Sequence, residues 1–156
     1  MLVIDPSDDA DKIIRKIGNR DVLGVVITHY HFDHIGALDE IVNRYNTCVY
    51  DKSNMNEGEF KIDEFEFNVI YTPGHKEDCI SIYFVDERIM FVGDFIFRDS
   101  IGRVDLPGGN INDMIYSINK IKNYDRDIIL YSGHGDSTVL GYEIDNNLYF
   151  RDINLI

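Results

Sequence analysis

The chain has 156 residues, enough for one hydrophobic core, with 44% apolar residues and a formal net charge of −13 from 28 acidic against 15 basic side chains. That excess of acid argues against a nucleic-acid partner, whose phosphates require a basic surface, and against docking on an anionic membrane. The longest apolar runs, Val22–Ile27 and Ile89–Val92, fall far short of the ~20 residues a bilayer crossing needs, and Asp5, Asp8, Asp9 and Asp11 break any signal-peptide pattern, so a cytoplasmic protein is expected.

In chain order, Leu2–Ile4 reads as a short strand stopped by Asp5-Pro6-Ser7. Asp8 or Asp9 can cap a helix over Ala10–Ile17, ended at Gly18. Val22–Ile27 is a buried strand, Ile35–Tyr45 a helix with Ile35, Leu38, Ile41 and Val42 at helical spacing, and Thr47–Tyr50 another strand. Asp51–Glu59 is a polar loop. Phe60–Ile62 and Phe65–Tyr71 form a hairpin about Asp63-Glu64, and Cys79–Val85 and Arg88–Val92 a second one about Asp86-Glu87. Ser100–Asn110 is a glycine-rich loop. Ile111–Tyr124 is a helix with Ile111, Ile115, Ile118 and Ile121 inward; Ile128–Tyr131 is a strand, and a short helix starts near Ser137.

No repeat, linker or low-complexity segment divides the chain, so residues 1–156 read as one domain. The order of elements predicts an α/β protein (α+β in some schemes) of αββα type: two mixed sheets packed together with helices outside. Cys48 and Cys79 have strand-like apolar surroundings and no CxxC spacing; both are read as reduced, largely buried thiols.

All five histidines fall at strand ends or turns. His29, His31 and His34 lie in Thr28-His29-Tyr30-His31-Phe32-Asp33-His34; His75 ends Thr72-Pro73-Gly74-His75; His134 sits in Ser132-Gly133-His134-Gly135. With Asp33 and Asp94 they make seven nitrogen and oxygen donors suited to divalent ions. In an extended loop His29 and His31 face one way, so with His75 they form a three-histidine face for a first ion. Asp33, His34 and His134 form the face for a second, and Asp94 has two oxygens with which to bridge them. A single histidine here would pass as a solvated side chain and Asp33 alone as a helix cap; the set as a whole reads as a metal centre. Tyr30 and Phe32 alternate with the donors and are expected to pack behind them. Asp5 reads as a turn residue ahead of a support for a ligand imidazole. Arg103 and Asp105 read as a loop salt bridge ahead of a clamp for an anionic substrate.

These motifs resemble the HxHxDH signature of the metallo-β-lactamase superfamily, with His75, Asp94 and His134 at its later ligand positions. Gly93–Phe97, Ser100–Gly109 and Gly133–Glu143 look like its small glyoxalase II-like branch, which comprises hydroxyacylglutathione hydrolase-like proteins. The resemblance implies a hydrolase carrying two divalent ions, zinc or alternatively iron or manganese. Water made nucleophilic at neutral pH attacks the carbonyl of a small thioester or ester, and Asp33 orients that water or handles its proton; apart from the resemblance, Arg103, in the loop after Asp94, is a candidate substrate contact second to its salt-bridge reading. A similar branch, the persulfide dioxygenases, implies a mononuclear iron alternative; a non-catalytic metal-binding or interaction protein is another. In such relatives a strand pair precedes the segment matching Leu2–Pro6, the stretch matching Tyr50–Phe60 is often longer, and full glyoxalase II enzymes add a helical domain. The fold is therefore expected to be N-terminally shortened, with Leu2–Ile4 an edge that invites a homodimer or strand exchange.

Overall fold

The computed structural model of the chain describes residues 1–152. Its elements run β1 (Leu2–Ile4), α1 (Ala10–Ile17), β2 (Gly24–Val26), α2 (Phe32–Ile35), α3 (Leu38–Tyr45), β3 (Val49–Tyr50), β4 (Gly58–Ile62), β5 (Phe65–Tyr71), β6 (Ile80–Phe84) and β7 (Ile89–Gly93). There follow β8 (Ile96–Phe97), β9 (Ser100–Ile101), α4 (Ile111–Ile121), β10 (Ile129–Ser132), β11 (Thr138–Val139), α5 (Leu140–Asn146) and α6 (Leu148–Arg151).

Two main sheets result. One is β1-β2-β3, paired in parallel; the other is β11-β10-β7-β6-β5-β4, antiparallel except where β10 runs parallel to β7. Between them lie Val26, Met55, Phe67, Val69, Ile80 and Ile82. Outside the smaller sheet α1 and α3 close a second core over Val3, Val25, Ile27 and Ile41. Outside the larger sheet α4, α5 and α6 close the third, around Met90, Val92, Leu130, Ile118, Leu140 and Phe150. This is the expected αββα sandwich. Among the described residues the outer edge of β1 has no strand beside it, and no helix is long and apolar enough to cross a membrane.

Several local expectations are corrected. The helix expected over Ile35–Tyr45 is two helices, α2 and α3, because the chain is pinned between them. The Ala37 amide donates to the Pro6 carbonyl, and a Cβ on Gly36 would lie 2.1 Å from the Ser7 carbonyl oxygen. Only glycine permits that approach. Within the glycine-rich segment β9 pairs with β8, and the helix expected near Ser137 is preceded by β11. In α4 the inward positions are Met114, Ser117, Ile118 and Ile121, while Ile111 is exposed. Cys48 is exposed rather than buried, at the solvent end of a very short strand; Cys79 is buried, and burial, first among the causes, pushes its thiol up to about 12.

Candidate metal centre

Each donor segment leaves a strand and is fixed at once by the backbone. β2 delivers Thr28 and His29 to the end of the sandwich, where Thr28 O accepts the Ile80 amide. α2 then turns Asp33 and His34 inward. β5 leads through the Pro73-Gly74 turn to His75, β7 ends in Gly93-Asp94, and β10 ends in Ser132-Gly133-His134. Gly133 has to lack a side chain: a Cβ there would lie 2.4 Å from Asp94 Oδ1 and from His34 Cε1.

The seven donors fall into two groups. His29 Nε2, His31 Nδ1 and His75 Nε2 converge, with His31 Nδ1 3.1 Å from His29 Nε2 and 2.9 Å from His75 Nε2. Asp33, His34, Asp94 and His134 form the other group: His134 Nε2 stands 2.9 Å from Asp33 Oδ2 and 3.6 Å from Asp94 Oδ2, and His34 Nε2 3.2 Å from Asp94 Oδ1. Asp94 Oδ2 also lies 3.8 Å from His75 Nε2, so its carboxylate stands between the groups.

The arrangement fits cations. Imidazole lone pairs facing one another repel unless something positive lies between them, and the single proton of His31 Nδ1 satisfies at most one facing pair. The far sides of three of the rings, His29, His34 and His75, are already used. The His75 Nδ1–H donates to the Arg103 carbonyl (2.8 Å), and His34 Nδ1–H to Asp5 Oδ2 (2.9 Å). His29 Nδ1–H faces Thr28 Oγ1 (3.2 Å), whose own proton goes to Asp5 Oδ2 (2.6 Å). These contacts fix tautomers that leave each Nε2 free for a metal. His34 Nε2 and Asp94 Oδ1 are buried without a hydrogen-bond partner, the mark of groups awaiting an ion.

The electrostatics agree. Burial, then the charge of His34, pushes His29 down to about 3, which keeps it a neutral donor. Burial pulls His34 down too, but its contacts with the carboxylates of Asp5 and Asp94 override it and hold the ring up at about 10. The two carboxylates thus call for positive charge at His34 Nε2, and an ion bound there would take the place of that proton. Burial opposes ionisation of Asp94, yet the neighbouring histidines hold its carboxyl below the usual range; for Asp33 the backbone, His34 and His134 do the same.

Two expected neighbours stand elsewhere. Phe32, at the start of α2, is 85% exposed, since the turn that sends Asp33 and His34 inward sends it out; the half-exposed Tyr30 donates its hydroxyl proton to Asp51 (2.5 Å). Neither packs behind the donors. Arg103 forms a two-pronged ion pair with Asp105 (2.7 and 2.8 Å). Its main chain holds His75, and the residue also lines a cavity of about 570 Å³ with His75, Asp94, Phe97, Ile101 and His134. The residue sequence reasoning undervalued is Asp5, which supports His34 directly and His29 through Thr28. Its signal was an aspartate at a strand end, the same grammar that marks Asp94.

Residues 2–51 and 56–134 match the metallo-beta-lactamase superfamily domain. The chain belongs to that superfamily. The unmatched gap falls in the loop after β3. Similar proteins of the superfamily include the probable metallo-hydrolase YqgX of Bacillus subtilis (strain 168), 30% identical over 99% of this chain and 89% of its own length. The hydroxyacylglutathione hydrolase GloC of Haemophilus influenzae is 27% identical over 96% of this chain and 86% of its own. Among solved structures, the B3 metallo-beta-lactamase BLEG-1 superposes with a TM-score of 0.91 at 31% identity, covering 97% of this chain and 88% of that one.

Proposed function

We propose that the chain is a metal-dependent hydrolase of small thioesters or esters, hydroxyacylglutathione-like, with two divalent ions, zinc by preference. The observation that carries this reading is the pair of donor groups joined by Asp94, with the outward nitrogens of His29, His34 and His75 already tied to Thr28, Asp5 and the Arg103 carbonyl. His29, His31 and His75 would hold one ion, and Asp33, His34 and His134 the other, with Asp94 common to both. Ions so held lower the pKa of water from 15.7 to around 7 and polarise a carbonyl oxygen.

The residues supply the rest. Asp33, ionised and partly exposed at the mouth, orients the attacking water or handles its proton. The Thr28–Asp5 pair holds the imidazoles in one tautomer. Gly133, with no side chain, leaves the room in which Asp94 and His34 come together. Two cations beside the site are paired with acids, Arg103 with Asp105 and Lys76 with Asp78. Recognition of an anionic thiol arm therefore falls to main-chain groups and bound ions. Similarity to hydroxyacylglutathione hydrolases supports the thioester class.

The test is hydrolysis of S-lactoylglutathione by the zinc-loaded chain, with metal counted by elemental analysis. His31→Ala and Asp94→Ala should each lower kcat/KM about a thousandfold or more while the circular dichroism spectrum stays native. One iron per chain with oxygen uptake on glutathione persulfide, or two tightly held ions with no turnover of thioesters, esters or β-lactams, would overturn it.

A further inference from the structure

The loop after β9 brings an arginine to the cavity beside the donors, and the main chain fixes where it stands. The Gly102 amide donates to the Phe95 carbonyl (3.1 Å), and a Cβ on Gly102 would lie 1.8 Å from the Asp94 carbonyl oxygen. The next carbonyl, that of Arg103, accepts the His75 Nδ1–H (2.8 Å). Arg103 is thus anchored by its backbone between two donor segments, and only its side chain is free to turn.

That side chain is turned onto its own loop. Its Nε and Nη2 donate to Asp105 Oδ1 and Oδ2 (2.7 and 2.8 Å), the two-pronged geometry in which a guanidinium would also take a substrate carboxylate. Both side chains are mostly exposed, so the pair adds little to stability. What it changes is the charge the cavity presents. Beyond the buried His75 and Asp94, the wall is largely apolar. It holds Phe97, whose ring centroid stands 6.3 Å from that of His134, and Ile101, which pairs with Ile96 across β8 and β9.

We propose that Asp105 sets the specificity of this cavity. By occupying the Arg103 fork it leaves the apolar wall without that cation, so the site prefers thioesters with an uncharged thiol arm over those of glutathione, which carries two carboxylates. The inference rests on the thioester reading above and narrows it. An uncharged arm lies against Phe97 and Ile101 and needs nothing from Arg103, whereas a carboxylate has to compete with Asp105 for the same fork. The net charge of −13 adds to the cost of bringing an anion there.

The experiment uses the zinc-loaded full chain and the lactoyl thioesters of glutathione, N-acetylcysteamine and benzyl mercaptan: one acyl group on three thiol arms. kcat/KM should be at least tenfold higher for the benzyl than for the glutathione thioester, with N-acetylcysteamine between. Opposite unit charges 4 Å apart attract by about fivefold even at the dielectric constant of water. Asp105→Asn should therefore raise kcat/KM for the glutathione thioester about fivefold, through KM and less at high salt, and leave both uncharged thioesters within about twofold. The gain should vanish when Arg103→Gln is added. Asp86→Asn, in the β6–β7 turn at the far end of β7 from Asp94, changes net charge equally and should not produce it. A glutathione thioester turned over as fast as the benzyl one, or no gain in Asp105→Asn, overturns the proposal and leaves the hydrolase reading standing. No turnover of any thioester removes the hydrolase reading, and calorimetry with S-methylglutathione and S-methyl-N-acetylcysteamine then decides the subsite. Tighter binding of the uncharged thioether, with the preference lost in Asp105→Asn, supports it; equal or tighter binding of S-methylglutathione overturns it.

Discussion

Asp5 accepts three hydrogen bonds inside the site: Thr28 N–H on Oδ1 (2.7 Å), and Thr28 Oγ1 and His34 Nδ1 on Oδ2 (2.6 and 2.9 Å). Removing a carboxylate that orients a ligand imidazole costs on the order of 10–100-fold in metal affinity. Asp5→Ala should therefore weaken one of two zinc ions by about that factor in a chelator competition, and leave the other, held by His29, His31 and His75, nearer its original affinity. Asp5→Asn retains an acceptor for the Thr28 amide and should fall between. Weakening of neither ion would show that Asp5 acts only as a turn. The donors themselves were legible because imidazole and carboxylate at strand ends have few other uses. Asp5 was not, since its partners Thr28 and His34 are 23 and 29 residues away and only the packing of β1 beside β2 brings them together.

At the scale of elements, the wall of the larger cavity depends on a carboxylate with no cation beside it. Glu143 in α5 is completely buried; its Oε1 accepts the Thr138 hydroxyl (2.5 Å), and its Oε2 accepts the Asp99 amide (3.0 Å) and the Asn147 side chain (2.8 Å). It thus ties the β8–β9 turn, which carries Phe97 beside His134, to the strand that follows His134. Truncation would strip the buried Thr138 hydroxyl of its acceptor and remove one each from the Asp99 amide and the Asn147 side chain, which keeps the Ser100 carbonyl, at about 1–3 kcal/mol for each buried donor left unpaired. Glu143→Ala is expected to lose roughly 3 kcal/mol in urea denaturation, and Thr138→Val only about 1 kcal/mol. A loss below ~1 kcal/mol for Glu143→Ala would mean that water replaces the carboxylate. Hairpins and helices were readable from periodicity, with ends within a few residues. What periodicity missed were the break at Gly36, imposed by the Ser7 carbonyl from a distant loop, and the two-residue strands β8 and β9, too short to show an alternation.

At the scale of the whole molecule, the −13 charge bears on how the metal reading can be tested. The layers were legible, because donors at successive strand ends require the strands to end at one edge; the order of strands within the larger sheet was not, since it is set by pairing rather than by any local pattern. In an acidic protein any cation relieves self-repulsion, so stabilisation by salt alone says nothing of a site. A bound ion acts differently, by mass action: at a hundredfold excess over Kd it contributes about 2.7 kcal/mol. For a domain of this size that corresponds to a rise in Tm of about 5–10 °C. Zinc at tens of micromolar should therefore raise Tm by that amount over chelated protein, while magnesium at the same concentration should do almost nothing, because its preference is for oxygen and water rather than imidazole. His31→Ala combined with Asp94→Ala should abolish the zinc increment but retain the smaller rise with sodium chloride. Equal shifts with zinc and magnesium, or a zinc shift that survives both substitutions, would reduce the histidine cluster to part of a general acidic surface.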